Sequence, residues 1–335
     1  MHPTVRCLAR RLFGTSSWTK HENPLGLPRR PGPAPQMPRK SDPIQKRPIP
    51  NVKKVLAVAS GKGGVGKSTV AVNLAFSLAL LRTSSSADRL RVGILDLDIF
   101  GPSIPTLMGL QTSDEPRLTS TGAIIPLVNH GLPTMSMGFL LPRPPDAASN
   151  SDIPIVWRGL MVQKAVQQLL FDVDWSGGDG GTGLDVLVVD MPPGTGDVPL
   201  TLGQLVNVDG AVIVSTPQDV ALTDVRRGIA MFRKVSVPIT GILLNQSYFL
   251  CPTCTTPHHL FGSPDAFRST ATHLGLSILG ELPLVQGVSS GGDQGIPYAL
   301  VMDDKTKVED GVGGVEWKGS MESVASKVWT SLSSD

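Results

Sequence analysis

The sequence predicts an α/β protein built on a mostly parallel sheet with helices on both faces. Three observations carry this. Short, unbroken apolar runs recur between residues 55 and 283. Helical patterns lie between them, as strands buried on both faces and joined by helical crossovers require. The turn between the first run and the first helix is rich in glycine, and sheets of this kind bind ligands beyond the carboxyl ends of their strands.

The elements follow in order. VLAVAS (55–60) reads as a buried strand, and residues 68–81, rich in Ala, Leu and Val, as a helix. VGILDLD (92–98), DVLVVD (185–190), AVIVST (211–216), GILLN (241–245) and SILGELP (277–283) read as further strands. Helical periodicity covers 160–171, 219–234 and 265–274. GGDGGTG (177–183) reads as a surface loop. VMDDKTKVEDGVGGVEWKG (301–319) is polar and glycine-rich, so a mobile insertion is expected there, followed by a last helix at 321–332.

The chain has 335 residues, enough for one large domain and a tail. Its net charge of +2 conceals an asymmetry: residues 1–54 carry +10 and the remainder −8. An acidic body disfavours nucleic acid as a partner. No apolar run reaches the length of a membrane span, and three cysteines cannot build a multi-bridge secreted scaffold. Residues 1–20 hold Arg6, Arg10 and Arg11, no acid, and a few apolar spots, which is the composition of a mitochondrial transit peptide. Residues 21–52 read as a proline-rich basic linker. The folded domain is expected at 53–335.

GKGGVGKS (61–68) matches the phosphate-loop pattern at every fixed position and sits between strand and helix, as the pattern needs. Gly61, Gly63, Gly64 and Gly66 let the backbone, with Val65, curl its amides toward phosphate oxygens. The helix end adds its dipole. Lys67 supplies charge to the outer phosphates, and the Ser68 hydroxyl is placed for Mg²⁺. Lys62 is a second lysine, at a position ordinary loops of this type leave free. Asp190 closes the strand LDVLVVD and faces the loop, so it can hold Mg²⁺ through water. Asp96 and Asp98 end GILDLD and could serve metal or water in the same way. MPPGTGD (191–197) suits a hinged loop that senses a terminal phosphate.

Cys251 and Cys254 form the one CxxC of the chain, as CPTC. The pair is half of a usual four-ligand set. Two chains could share a [4Fe–4S] cluster or a zinc; His258 and His259 could complete a zinc site within one chain; or the pair could be a dithiol switch.

Together GKGGVGKST (61–69), LDLDIFGPSIP (95–105), VDMPPGTGD (189–197), STPQDVAL (215–222) and CPTC (251–254) resemble the Mrp/ApbC-type P-loop ATPases of iron–sulfur protein biogenesis. These belong to the MinD/ParA group, whose phosphate loop is a deviant Walker A. With a transit-like N-terminus, the resemblance is to the mitochondrial branch, associated with respiratory complex I. It implies ATP, Mg²⁺ and a [4Fe–4S] cluster as cofactors, slow ATP hydrolysis, a homodimer, apo iron–sulfur clients, and the mitochondrial matrix as location. Lys62 is similar to the signature lysine that reaches a nucleotide in the partner subunit. Lys67, Ser68 and Thr69 match the phosphate and Mg²⁺ contacts. Asp98 matches the acid near the attacking water, Asp190 the Walker B carboxylate, and Asn245 the adenine-contacting asparagine. Cys251 and Cys254 match the cluster-bridging pair. The family's Asn-Met-Ser is here Asn245-Gln246-Ser247. The alternatives are a positioning ATPase of the MinD/ParA kind, which the acidic body and a C-terminus that is not a basic amphipath disfavour, and a zinc-stapled NTPase without cluster transfer.

Overall fold

The computed structural model describes residues 45–82, 89–140, 159–178 and 181–334. The expected transit peptide, most of the linker and part of the 177–183 loop lie outside these residues. Residues 44–335 form one compact unit.

The chain begins with β1 (Val52–Ser60), α1 (Lys67–Leu80), β2 (Val92–Asp96), α2 (Ile104–Leu107), β3 (Leu127–Asn129), β4 (Leu132–Ser136) and α3 (Gly159–Phe171). It continues with β5 (Leu184–Asp190), α4 (Asp197–Leu205), β6 (Gly210–Ser215), α5 (Asp219–Lys234), β7 (Ile239–Leu244), β8 (Phe249–Leu250) and β9 (Pro257–His258). The last elements are α6 (Asp265–Leu274), β10 (Ile278–Glu281), α7 (Gln286–Asp293), α8 (Asp303–Glu309) and α9 (Gly311–Ser333). Among the described residues the main sheet has the order β10-β7-β6-β1-β5-β2-β4-β3, and β8 and β9 form a separate ribbon. Every pairing in the main sheet is parallel except β3 with β4.

The central strands are buried along nearly their whole length because both faces are covered. One helical group joins α1 to α9; the other runs from α3 through α4 and α5 to α6. The expected α/β architecture with a parallel sheet is therefore the observed one. No helix among the described residues is long and apolar enough to cross a membrane.

The structure differs from the sequence reading at both ends. The body begins before Lys53. Arg47 bridges to Val206, its guanidinium lies 3.5 Å from the centroid of the Phe171 ring, and Ile49 is buried. A short segment with two prolines, Pro48 and Pro50, can still lay one apolar and one cationic side chain on the body. At the other end, Asp303–Glu309 and Gly311–Ser333 are helical although a mobile insertion is expected at 301–319, and the last helix starts at Gly311 instead of 321. Glycines at 311, 313, 314 and 319 gave this stretch the composition of a loop. The buried stripe of α9 nevertheless starts at Trp317 and continues through Met321, Val324, Val328 and Leu332. Trp317 meets Tyr298 edge to face at 5.2 Å, and the Tyr298 hydroxyl donates to Asp310 Oδ2 at 2.7 Å. Tertiary packing thus overrides weak local propensity.

Removing that ring tests the fold of the segment. Trp317→Ala is expected to cost about 3–5 kcal/mol in chemical denaturation, the usual cost of emptying a buried aromatic site. A change below about 0.5 kcal/mol, as at an exposed loop position, would contradict this packing.

Candidate nucleotide site and cysteine hairpin

The parallel register sets the site. Val58 on β1 and Asp96 on β2 both pair with Asp190 on β5, so three neighbouring strands end at one level. The phosphate loop leaves β1 at Ser60 and enters α1 at Lys67. Gly66 caps α1 with φ 77°, in the left-handed region, and no side chain caps the helix. The first amides of α1 are thus left for a ligand, and no acid in the first turn competes for them. A side chain at Gly66 would also strike the Asn245 amide. Gly61 cannot carry a Cβ either, since it lies against the backbone of Asp224 on α5. These features fit a nucleotide phosphate and leave Lys62, Gly63 and Gly64 exposed toward solvent.

Three predicted residues come together at the centre. The Lys67 ammonium, 6 % exposed, lies 2.6 Å from Asp190 Oδ1. It also donates to Ser68 Oγ at 3.1 Å, and Ser68 Oγ donates to Asp190 Oδ2 at 2.5 Å. Burial raises the Asp190 carboxyl above its ordinary range; Lys67 and Ser68 oppose this, and the Asp98 charge adds to it. Lys67, Ser68 and Asp190 are therefore the groups that could hold MgATP. Thr69 is half-buried one residue further along α1.

Asp96 and Asp98, alike in sequence, separate here. Asp96 is fully buried, and its carboxylate accepts from Asp98 N at 2.9 Å, Ser136 Oγ at 2.9 Å and Ile104 N at 3.4 Å. Burial, with Asp190 nearby, pushes it up to about 8. It positions the 98–104 loop and has no opening toward a ligand. Asp98 stays at the site, close enough to Asp190 for charge repulsion. The 191–196 loop lies against the phosphate loop, with Gly194 N donating to Ser60 O at 2.9 Å.

Asn245, at the end of β7, donates from Nδ2 to the Val65 carbonyl at 2.9 Å and is 8 % exposed. It props the phosphate loop from below. The sequence reading missed this tie; the signal was the close approach demanded at Gly66. Gln246 follows with φ 55°, and then Ser247 N donates to Leu282 O at 2.9 Å.

Six residues beyond Asn245 the chain reaches Cys251. β8 and β9 pair Phe249 with His258 and Leu250 with Pro257. Cys251 N donates to Thr256 O at 3.2 Å, Thr255 N donates to Cys251 O at 2.8 Å, and Thr255 takes φ 55° to close the turn. Both thiols are free; Cys251 is half-buried and Cys254 exposed. Of the two histidines, only His258 joins them. The ligand atoms of Cys251, Cys254 and His258 lie within 4.8 Å of one another. His259 turns away: its Nδ1 pairs with Ser247 O at 3.0 Å and its ring meets Tyr248 edge to face. The two-histidine zinc site is thereby corrected to a site with one histidine, because successive residues of a strand face opposite ways. Hydrogen bonds from Thr256, side chain first and then backbone, with Cys251 and His258, lower the Cys254 thiol to about 7.

A family model described as ParA, NUBPL iron-transfer P-loop NTPase, matches residues 51–312. The iron–sulfur cluster transfer protein NUBPL of Mus musculus is 48 % identical over 256 residues, covering 76 % of this chain and 73 % of that one. Its counterpart in Dictyostelium discoideum is 46 % identical over 267 residues, covering 80 % and 76 %. The iron–sulfur protein required for NADH dehydrogenase of Arabidopsis thaliana is 48 % identical over 249 residues, covering 74 % and 72 %. Among solved structures, the nucleotide-binding protein of Archaeoglobus fulgidus in complex with ADP superposes with a TM-score of 0.58 at 33 % identity, over 73 % of this chain and 87 % of that one. The MinC:MinD complex of Aquifex aeolicus, at 16 % identity and TM-score 0.52 over 83 % and 96 %, shares the fold.

The lowered thiol gives a pH test. A depressed value means thiolate above about pH 7, so alkylation of Cys254 in the reduced, metal-free chain should reach half its plateau rate near pH 7. Thr256→Val should move the midpoint upward. A wild-type midpoint near 8.5, the ordinary cysteine value, would contradict the hydrogen-bonded geometry.

Proposed function

The chain belongs to the NUBPL iron-transfer P-loop NTPases of the ParA family, and from that membership we propose that it is an ATP-dependent carrier of iron–sulfur clusters. Its cargo is a labile [4Fe–4S] cluster, held between two copies of the chain by Cys251 and Cys254 of each. Its clients are apo iron–sulfur proteins, including subunits of respiratory complex I, and it works in the mitochondrial matrix. The Arabidopsis thaliana relative is named as mitochondrial, and this, with the arginine-rich, acid-free residues 1–20, supports that location.

The observation that carries this reading is the joining of two half-machines in one chain. A phosphate loop with its strand-end carboxylates is held by Asn245, and six residues beyond Asn245 a hairpin presents half of a cluster's four thiolates. A cluster with four cysteine ligands then needs a second copy.

The roles are those the family resemblance implies, and the Lys67–Ser68–Asp190 geometry supports the central ones. Lys67 and Asp190 neutralise each other before nucleotide arrives. With ATP bound, Lys67 gains phosphate oxygens as partners, and Ser68 and Asp190 are free to hold Mg²⁺. Mg²⁺ supplies charge neutralisation on the outer phosphates. The α1 amides bind phosphate oxygens, and Asp98 orients the attacking water. Lys62, exposed on the loop, adds positive charge across the interface to the partner's nucleotide. Hydrolysis is slow because the ATPase acts as a switch. The 191–196 loop, hydrogen-bonded to Ser60, and the Asn245 prop carry the change to the hairpin.

Anaerobic reconstitution of the full chain with iron and sulfide tests this. The expected product is a brown dimer with about four irons per two chains, lost in Cys251→Ser and in Cys254→Ser. A cluster retained at full occupancy in either variant would overturn the bridging arrangement.

A further inference from the structure

We infer that each single chain is also a binding site for one soft divalent cation, of the Zn²⁺ or Fe²⁺ class, with Cys251, Cys254 and His258 as its ligands and a fourth position open. The site uses the same two cysteines as the proposed cluster, so the two occupancies exclude one another. It needs no second copy of the chain.

The ribbon geometry places the donors. Cys251 stands opposite Thr256, and Phe249 opposite His258. Side chains two residues apart on a strand share a face, so Cys251, Thr256 and His258 look out on one side of the ribbon, with Leu250 and Pro257 on the other. The turn brings Cys254 back over that same side. The three ligand atoms fall within 4.8 Å of one another. Tetrahedral ligation at the usual Zn–S and Zn–N lengths puts ligand atoms roughly 3.3–3.8 Å apart. The set is thus within about 1 Å of closing on an ion. Cys254 and His258 are exposed, so a small adjustment of either side chain meets no packed neighbour layer.

The donor chemistry matches a dication. Two thiolates cancel its charge, and a neutral imidazole adds a third bond, so the loaded hairpin carries no net charge. The ligand set Cys₂His with one open position is one that zinc adopts where it must also meet an exogenous group. His259 cannot fill that position, since its ring is held by Ser247 O and Tyr248. That anchoring instead fixes the strand on which His258 sits. Among the described residues no other His, Cys, Asp or Glu joins the group. The open position and the exposed ligands make a labile ion, which keeps the cysteines reduced and unbridged until cluster displaces it.

The test is anaerobic titration of the reduced full chain with Co²⁺, with Zn²⁺ as competitor. The expected result is one Co²⁺ per chain, with the intense visible bands of four-coordinate cobalt and thiolate charge transfer, on a chain whose size in solution does not change. His258→Ala should weaken Co²⁺ binding at least about 10-fold, as losing a contact to a metal site does, and His258→Cys should restore it. Half an equivalent of Co²⁺ per chain, or unchanged affinity in His258→Ala, would overturn the inference. Iron–sulfide reconstitution in parallel separates this from the carrier reading. A cluster that forms normally in His258→Ala, together with weakened Co²⁺ binding, supports both. Failure of the wild type to form a cluster, with one Co²⁺ per chain retained, removes the carrier reading and leaves this site standing.

Discussion

The Lys67–Asp190 ion pair is the constraint around which the rest is arranged. Asp190 has no exposed surface, and a carboxylate in that position is tolerable only beside a cation. Lys67 provides it at 2.6 Å, with Ser68 satisfying the other oxygen. The pair ties the start of α1 to the end of β5, across β1, and so fixes the phosphate loop against the strand ends. Because a buried pair loses several kcal/mol when one partner is removed, the loop is held in shape by the same groups that are proposed to bind nucleotide. In the proposed carrier, ligand binding exchanges partners rather than building a site.

A second tie reaches outward from the same loop. The Asn245 amide holds the Val65 carbonyl, and the next residue, Gln246, sits in the left-handed region at φ 55°. Such a conformation is uncommon for a residue with a long side chain and persists where its surroundings impose it. Here the surroundings are the loop on one side and Leu282 on the other, where Ser247 is bound. The chain from Asn245 to Cys251 therefore has little slack. A shift of the phosphate loop changes the footing of the hairpin. This is the physical basis for coupling nucleotide to cargo in the proposed carrier.

Much of this was legible in the sequence, for identifiable reasons. Unbroken apolar runs give the buried parallel strands, and 219–234 and 265–274 emerge as helices with the bounds expected. The phosphate loop is legible because its glycines, lysine and serine answer to one ligand. What was not legible depends on contacts between distant segments. The β3–β4 hairpin turns on His130 and Gly131, both with positive φ, and its strands are too short for a pattern. The helix through 311–319 depends on Trp317 finding Tyr298. Asp96 and Asp98 differ only because Ser136, from a strand 40 residues on, claims the first. His258 and His259 differ only by the ribbon's alternation, which no spacing in CPTCTTPHH reveals before the register is known.

Hydrogen exchange of the full chain with and without MgATP tests the central claim most directly. If the loop and the hairpin are one mechanical unit, nucleotide will change amide protection at residues 61–70 and also at 245–258, around Asn245 and both cysteines. Changes confined to the phosphate loop and α1, with the hairpin amides exchanging at the same rates in both states, would contradict it.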